Sequence, residues 1–129
     1  MKASQMTEQP LSAYAKGVLG EAAACDFLER QGMLLLNRRY RAAGGEIDLI
    51  LLDGDVLVFA EVKLRGRGTT LDGQYAVTPR KQRRMIAAAR CFLGENPRYA
   101  HHMIRFDVVT VAGDGVTHLP NAFQGAEWE

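Results

Sequence analysis

The stretch that decides the fold is Gly45-Glu46-Ile47-Asp48-Leu49-Ile50-Leu51-Leu52, followed by Asp53-Gly54-Asp55 and then Val56-Leu57-Val58-Phe59-Ala60-Glu61-Val62-Lys63-Leu64-Arg65. An Asp-Gly step between two β-forming apolar runs predicts a hairpin. Its strands are expected over Ile47–Leu52 and Val56–Leu64. Side chains alternate faces along a strand. Glu46 and Asp48 are therefore expected on one face of the first strand, and Glu61, Lys63 and Arg65 on one face of the second. Charge inside an otherwise buried strand is costly unless it is paired or bound to a metal.

Upstream, the pattern from Leu11 or Ser12 to Gln31 is helical, with Gly32 as its stop. One stripe at helical spacing carries Tyr14, Val18, Glu21, Cys25 and Leu28, which aims Glu21 among core residues. Met33–Arg41 reads as a strand and Ala42–Gly45 as a turn. Downstream, Gly66–Gly73 reads as a loop. Thr78 is a suitable N-cap and Pro79 suits the first helical position of a second helix running to Leu93, with Gly94 as its stop. Ile104–Val111 and Val116–Leu119 are strands joined through Gly113-Asp114-Gly115, and Pro120 is expected to close the last. Residues 1–10 read as a disordered leader, 11–120 as a single domain and 121–129 as a tail. The order is α-β-β-β-α-β-β. A helix between two strands makes a right-handed crossover between parallel neighbours. With a hairpin ahead of it, the expected fold is α/β: a mixed sheet between two helical layers.

A chain of 129 residues, 47% apolar and 24% charged, can bury one core without disulfides. It contains no apolar run of the roughly 18 residues a membrane span needs. Its first ten residues lack the apolar centre of a signal peptide. A cytoplasmic protein without a membrane partner is the expectation. Cys25 and Cys91 fit small core residues in a reducing compartment rather than a disulfide or metal pair. The net charge of +1 hides an asymmetry: residues 1–62 hold 6 Lys/Arg against 9 Asp/Glu, and residues 63–105 hold 10 against 2. An acidic hairpin followed by a basic segment suits a phosphate-binding surface beside a cation centre.

Two carboxylates converging from neighbouring strands can hold a hard divalent cation through oxygen. Magnesium, which takes few protein carboxylates and keeps several waters, suits such a pair, and manganese is the substitute. Asp48 and Glu61 are the expected pair, with the Val62 carbonyl and Glu21 as further ligands. Lys63 follows Glu61 on the same face, where it can orient water or stabilise charge on a phosphate. A surface hairpin with cross-strand ion pairs, each contributing about 0.2–1 kcal/mol, would use the same residue types. The apolar runs around Asp48 and Glu61 favour the buried centre. His101 and His102 lack a partner at ligand spacing and read as loop residues.

Gly45-Glu46-Ile47-Asp48-Leu49-Ile50 and Glu61-Val62-Lys63 resemble the motif of the PD-(D/E)xK nuclease superfamily, which includes restriction endonucleases and archaeal Holliday-junction resolvases. The match extends over about residues 12–119 and is closest to the YraN-like family of predicted bacterial nucleases. It includes Gly17-x-x-Gly20-Glu21-x-x-Ala24, Arg41-x-x-Gly44-Gly45, Val58-Phe59-Ala60-Glu61-Val62-Lys63-x-Arg65, Lys81-Gln82 and Arg105-Phe106-Asp107-Val108-Val109. Ile47 stands where the superfamily's name has proline. The resemblance implies a restriction-endonuclease-like three-layer αβα core. It implies Asp48 and Glu61 as metal ligands, Lys63 as the catalytic lysine, and Glu21 as the acid contributed by the first helix. Lys81 or Gln82 matches a polar position on the second helix of some members.

These readings point to a magnesium-dependent endonuclease acting on DNA rather than RNA, selective for branched or damaged structure. Arg65, Arg67, Lys81, Gln82 and Arg84 are the expected backbone contacts, which supply affinity without sequence choice. The alternative is a nucleic-acid-binding module or partner-dependent subunit with little activity of its own. A homodimer would let so small a chain span two duplex arms.

Overall fold

The computed structural model describes residues 13–65, 77–113 and 115–124. The expected leader, the loop Gly66–Gly73 with Arg67, and the last five residues of the expected tail lie outside the described residues. The elements are α1 (Ala13–Arg30), β1 (Leu34–Ala42), β2 (Gly45–Asp53), β3 (Val56–Leu64), α2 (Pro79–Glu95), a one-turn 3-10 helix (Pro97–Tyr99), β4 (Met103–Ala112) and β5 (Gly115–Phe123). The five strands form one sheet in the order β1-β2-β3-β4-β5. Only β3 and β4, joined through α2, run parallel; the other pairs are antiparallel.

The sheet is buried on both faces. On one, Ala24, Cys25 and Leu28 of α1 pack with Leu49, Leu51, Val58, Ala60 and Val109. On the other, Met85, Ile86, Ala88, Ala89 and Phe92 of α2 pack with Ile47, Ile50, Leu57, Phe59 and Phe106. This is the expected αβα layering. The hairpin turn needs glycine, since Gly54 has φ +62°, a value side chains rarely adopt.

Several boundaries shift by a residue or two, and two expected stops do not act. Gly94 does not stop α2, which continues to Glu95. Asn96 ends it instead: its side-chain amide donates to the Phe92 carbonyl at 2.9 Å and its backbone N–H to Leu93 at 3.3 Å. Nor does Pro120 close β5, which runs on to Phe123. β5 is the sheet edge, where proline costs no ladder bond. A register shift opposite Phe106 and Val108 absorbs it, with Asn121 at φ +54°. The extra residues are held by Asp107, whose carboxylate accepts from the Asn121 N–H at 2.9 Å.

Candidate active site

β2 and β3 pair from Asp53↔Val56 back to Leu49↔Ala60, and their register goes no further. Beyond that point β2 stays with β1 down to Gly45, while β3 stays with β4 out to Leu64. The sheet therefore forks. Asp48 and Glu61 are the first residue on each side of the fork. The Asp48 carboxylate accepts the Val62 backbone N–H at 2.7 Å, replacing ladder pairing with a side-chain bond.

Two glycines bring the helices to this fork. A Cβ on Gly45 would stand 1.8 Å from the Arg84 carbonyl oxygen, so only glycine lets α2 lie so close over β2. A Cβ on Gly20 would meet Leu64 Cδ2 at 2.2 Å, and there α1 lies against the end of β3. The first contact sets Lys81 over Glu61, with Nζ 3.5 Å from Oε1. The second sets Glu21 on the opposite side.

The electrostatics are those of two buried carboxyls that the nearby Lys81 only partly offsets. Burial pushes the Asp48 carboxyl above its ordinary range, and the nearby Glu21 charge adds to the push, while the Val62 bond opposes it. Burial, then the Asp48 charge, pushes Glu61 up to about 7, with Lys81 opposing. Glu61 Oε1 is buried, and among the described residues no donor is hydrogen-bonded to it. Lys81 attracts that oxygen across the gap without satisfying it. Burial, then Arg65, lowers the Lys63 ammonium's pKa.

Two clefts meet at the acids. The cleft on the α2 side, about 400 Å³, is lined by Glu61, Lys63, Arg65, Thr78 and Lys81 among others. The cleft on the α1 side, about 160 Å³, is lined by Gly17, Glu21, Arg39, Arg41, Glu46, Ile47 and Asp48. Asp48, Glu61, Lys63, Arg65 and Lys81 are thus brought together. Glu21 lies near Asp48 but bonds Arg39 Nε at 2.6 Å. Among the described residues, no three His, Cys, Asp or Glu side chains converge closely enough to hold an ion. If a divalent cation binds, Asp48 and Glu61 are the residues that would hold it, since magnesium takes few protein carboxylates. A buried oxygen to which no described donor is hydrogen-bonded, and a Glu61 carboxyl pushed up by burial and by the Asp48 charge, are the features such a cation would relieve.

Gln82, expected on nucleic acid, donates its amide to the Val77 carbonyl at 2.8 Å and so fixes the start of α2. Arg84 is exposed and turned to solvent on α2. His101 is exposed and His102 sits edge-on against Tyr99; neither lines a cleft at the acids. Arg39 belongs to no motif in the sequence, and Arg41 enters only through Arg41-x-x-Gly44-Gly45. Their signal was weak: two of three arginines in a β-forming run beside Tyr40.

A mixed sheet between two helices, forked around an acidic pair with a lysine two residues on, defines an α/β protein with a candidate site at the fork. The chain belongs to a family described as "Uncharacterised protein family UPF0102", whose profile matches residues 20–111, and this is the family to which the YraN-like resemblance points. It is 43% identical over 114 residues to a UPF0102 protein of Rhodopseudomonas palustris, covering 88% of this chain and 86% of that one. A UPF0102 protein of Pseudomonas putida is 41% identical over 116 residues, covering 84% and 92%. One from Herminiimonas arsenicoxydans is 41% identical over 109 residues, covering 84% and 86%. Among the described residues, no helix is long and apolar enough to cross a membrane.

Proposed function

We propose that the protein is a divalent-metal-dependent endonuclease that hydrolyses phosphodiester bonds in DNA, selecting by structure rather than sequence. The observation that carries this is the Glu61 oxygen, buried beside Asp48 with no hydrogen-bonded donor among the described residues and only the Lys81 ammonium facing it at 3.5 Å, on the wall of a cleft that also presents Lys63 and Arg65. Asp48 and Glu61 would hold magnesium, which supplies water activation and neutralises phosphate oxygens. The Val62 N–H orients the Asp48 carboxylate. Lys63, with its lowered pKa, stands where it can orient the attacking water or take its proton. Arg65 and Lys81 supply the positive charge that draws a phosphate backbone into the cleft. No described element has the form of a base-reading helix or an aromatic stacking platform at this cleft, which favours structure over sequence as the selector.

The test is cleavage of nicked, flapped, branched and single-stranded DNA, and of matching RNA, with and without magnesium or manganese. Wild type should cut in a metal-dependent way, and Asp48→Ala and Lys63→Ala should not. Cleavage persisting in both variants would sink the site.

A second reading has one observation in its favour. Lys81 already faces Glu61 at 3.5 Å and so partly neutralises the centre without a metal. A binding module, or a subunit active only with a partner, would keep that ion pair. Binding without metal-dependent cleavage on any substrate would favour it.

A further inference from the structure

Strand alternation fails at the centre of this site, and the failure has a location. On β1, Arg38 interacts with Cys25 and Arg39 bonds Glu21, so two consecutive side chains reach the same helix, α1. On β2, Leu49 packs in the α1-side cluster and Ile47 in the α2-side cluster, although residues two apart should share a face. The register runs Arg38↔Leu49 and then Tyr40↔Ile47, passing over Arg39 and Asp48 between them. Tyr40 has crossed to the α2 side, where its ring meets Phe92 edge-on. Arg39 has φ +53°, a left-handed value in mid-strand. The left-handed residue thus stands where the β1–β2 ribbon exchanges faces, three residues on from the β1 register shift between Leu35 and Asn37.

The consequence falls on Asp48. It lies between the two layers instead of on either face. From there it lines the α1-side cleft with Glu21 and also meets Glu61 and the Val62 N–H. In a regularly alternating strand, Asp48 would share a face with only one of the two helices. Non-glycine residues adopt this backbone conformation against a steric cost, and such residues cluster where the surroundings enforce them for a purpose.

We infer that Arg39 is the positioning residue of the acidic centre: its left-handed backbone turns the ribbon so that Asp48 meets Glu61, and its guanidinium fixes Glu21 at the cleft wall. The inference rests on the nuclease reading only for its purpose. Its geometry is tested without nucleic acid.

The experiment compares Arg39→Gly, Arg39→Ala and Arg39→Val by thermal melting, by the NMR shift of the Val62 amide and by manganese binding. Gly and Ala both remove the guanidinium, and they differ in their tolerance of positive φ. Arg39→Gly should therefore melt higher than Arg39→Ala, by roughly 2–4 °C. In an ordinary strand the order reverses, because glycine there is the less stable residue. The Val62 amide should keep its wild-type shift in Arg39→Gly. In Arg39→Val, whose branched side chain opposes positive φ, it should move toward its position in Asp48→Ala. Manganese affinity should follow the amide, retained in Arg39→Gly and roughly tenfold weaker in Arg39→Val.

Arg39→Ala melting above Arg39→Gly, or a folded Arg39→Val with an unmoved Val62 amide, would overturn the inference. If Arg39→Val does not fold, the Gly–Ala melting order decides alone. If wild type binds no manganese, the nuclease reading fails, while the melting order and the amide shift still decide the role of Arg39.

Discussion

Gly45→Ala is the sharpest perturbation of the frame that holds the site. The added Cβ would stand 1.8 Å from the Arg84 carbonyl oxygen and 2.7 Å from its carbon, both backbone atoms of α2. No side-chain rotation relieves this, so strand and helix must separate by more than about 1 Å in a core packed as densely as an organic crystal. That displaces Met85, Ile86, Ala89 and Phe92 from the sheet and carries Lys81 away from Glu61. Overpacking commonly costs about 1–3 kcal/mol, and an unyielding backbone neighbour puts this case near about 3 kcal/mol. The unfolded chain works the other way, since replacing glycine by alanine alone stabilises by about 0.4–1 kcal/mol. With a urea slope of about 2 kcal/mol/M, the unfolding midpoint should fall by roughly 1–1.5 M. Gly20→Ala is the control. Its Cβ meets Leu64 Cδ2 at 2.2 Å, but that atom ends a flexible side chain that is 38% exposed and can swing away. Its cost should stay under about 1 kcal/mol. Equal midpoints for the two variants would refute the claim that β2 and α2 touch backbone to backbone.

Asp48→Asn removes the charge that helps raise Glu61. In metal-free buffer at pH 8 it should stabilise the fold by about 1–2 kcal/mol, read by urea unfolding, while abolishing any rise in melting temperature with magnesium. The wild-type centre has its own pH signature. Glu61 ionises at about 7 when folded and at an ordinary carboxylate value when unfolded. Metal-free stability should therefore rise as pH falls from 8 toward 5, and millimolar magnesium should flatten that slope. Asp107 acts in the opposite sense. Burial alone would raise its pKa, but bonds from His118, Arg105 and the Asn121 N–H outweigh it and hold the carboxyl below its ordinary range. Its stabilisation is complete above the unfolded pKa and is lost as pH falls through the lower folded one, so Asp107→Asn should steepen no transition above pH 5. At pH 7 that variant should still cost about 3 kcal/mol by urea unfolding, because Arg105 and His118 lose the buried anion between them.

Much of this was legible from local pattern. β3 spans Val56–Leu64, the stretch read from its apolar run and the Asp-Gly turn, and the Thr78 cap accepts from Lys81 N–H at 3.1 Å at the start of α2. The structure also brings Asp48 and Glu61 together, but not by the alternation used to place them. That rule assumes an unbroken pleat, and the break lies at Arg39, whose backbone state no composition reveals. The cluster of Asp107 with Arg105, His118 and Asn121 was invisible for another reason. Arg105 stands two residues from Asp107 on β4, but His118 and Asn121 come from β5, and Arg105 reaches further to Asp53 in the hairpin at 3.1 Å. Gly94 and Pro120 misled because breakers act on average, whereas here the Asn96 amide and the sheet edge decided where the elements end.

The fork between β2 and β3 has a mechanical meaning. The sheet is a pair of scissors pivoted at Leu49 and Ala60. One blade is the β1–β2 ribbon with α2 locked to it at Gly45, and the other is β3–β4–β5 with α1 pressed on it at Gly20. Asp48 and Glu61 sit at the throat, one on each blade. An ion held there would tie the blades together, and a substitution far out on either blade that alters the opening angle would reach the throat without touching it.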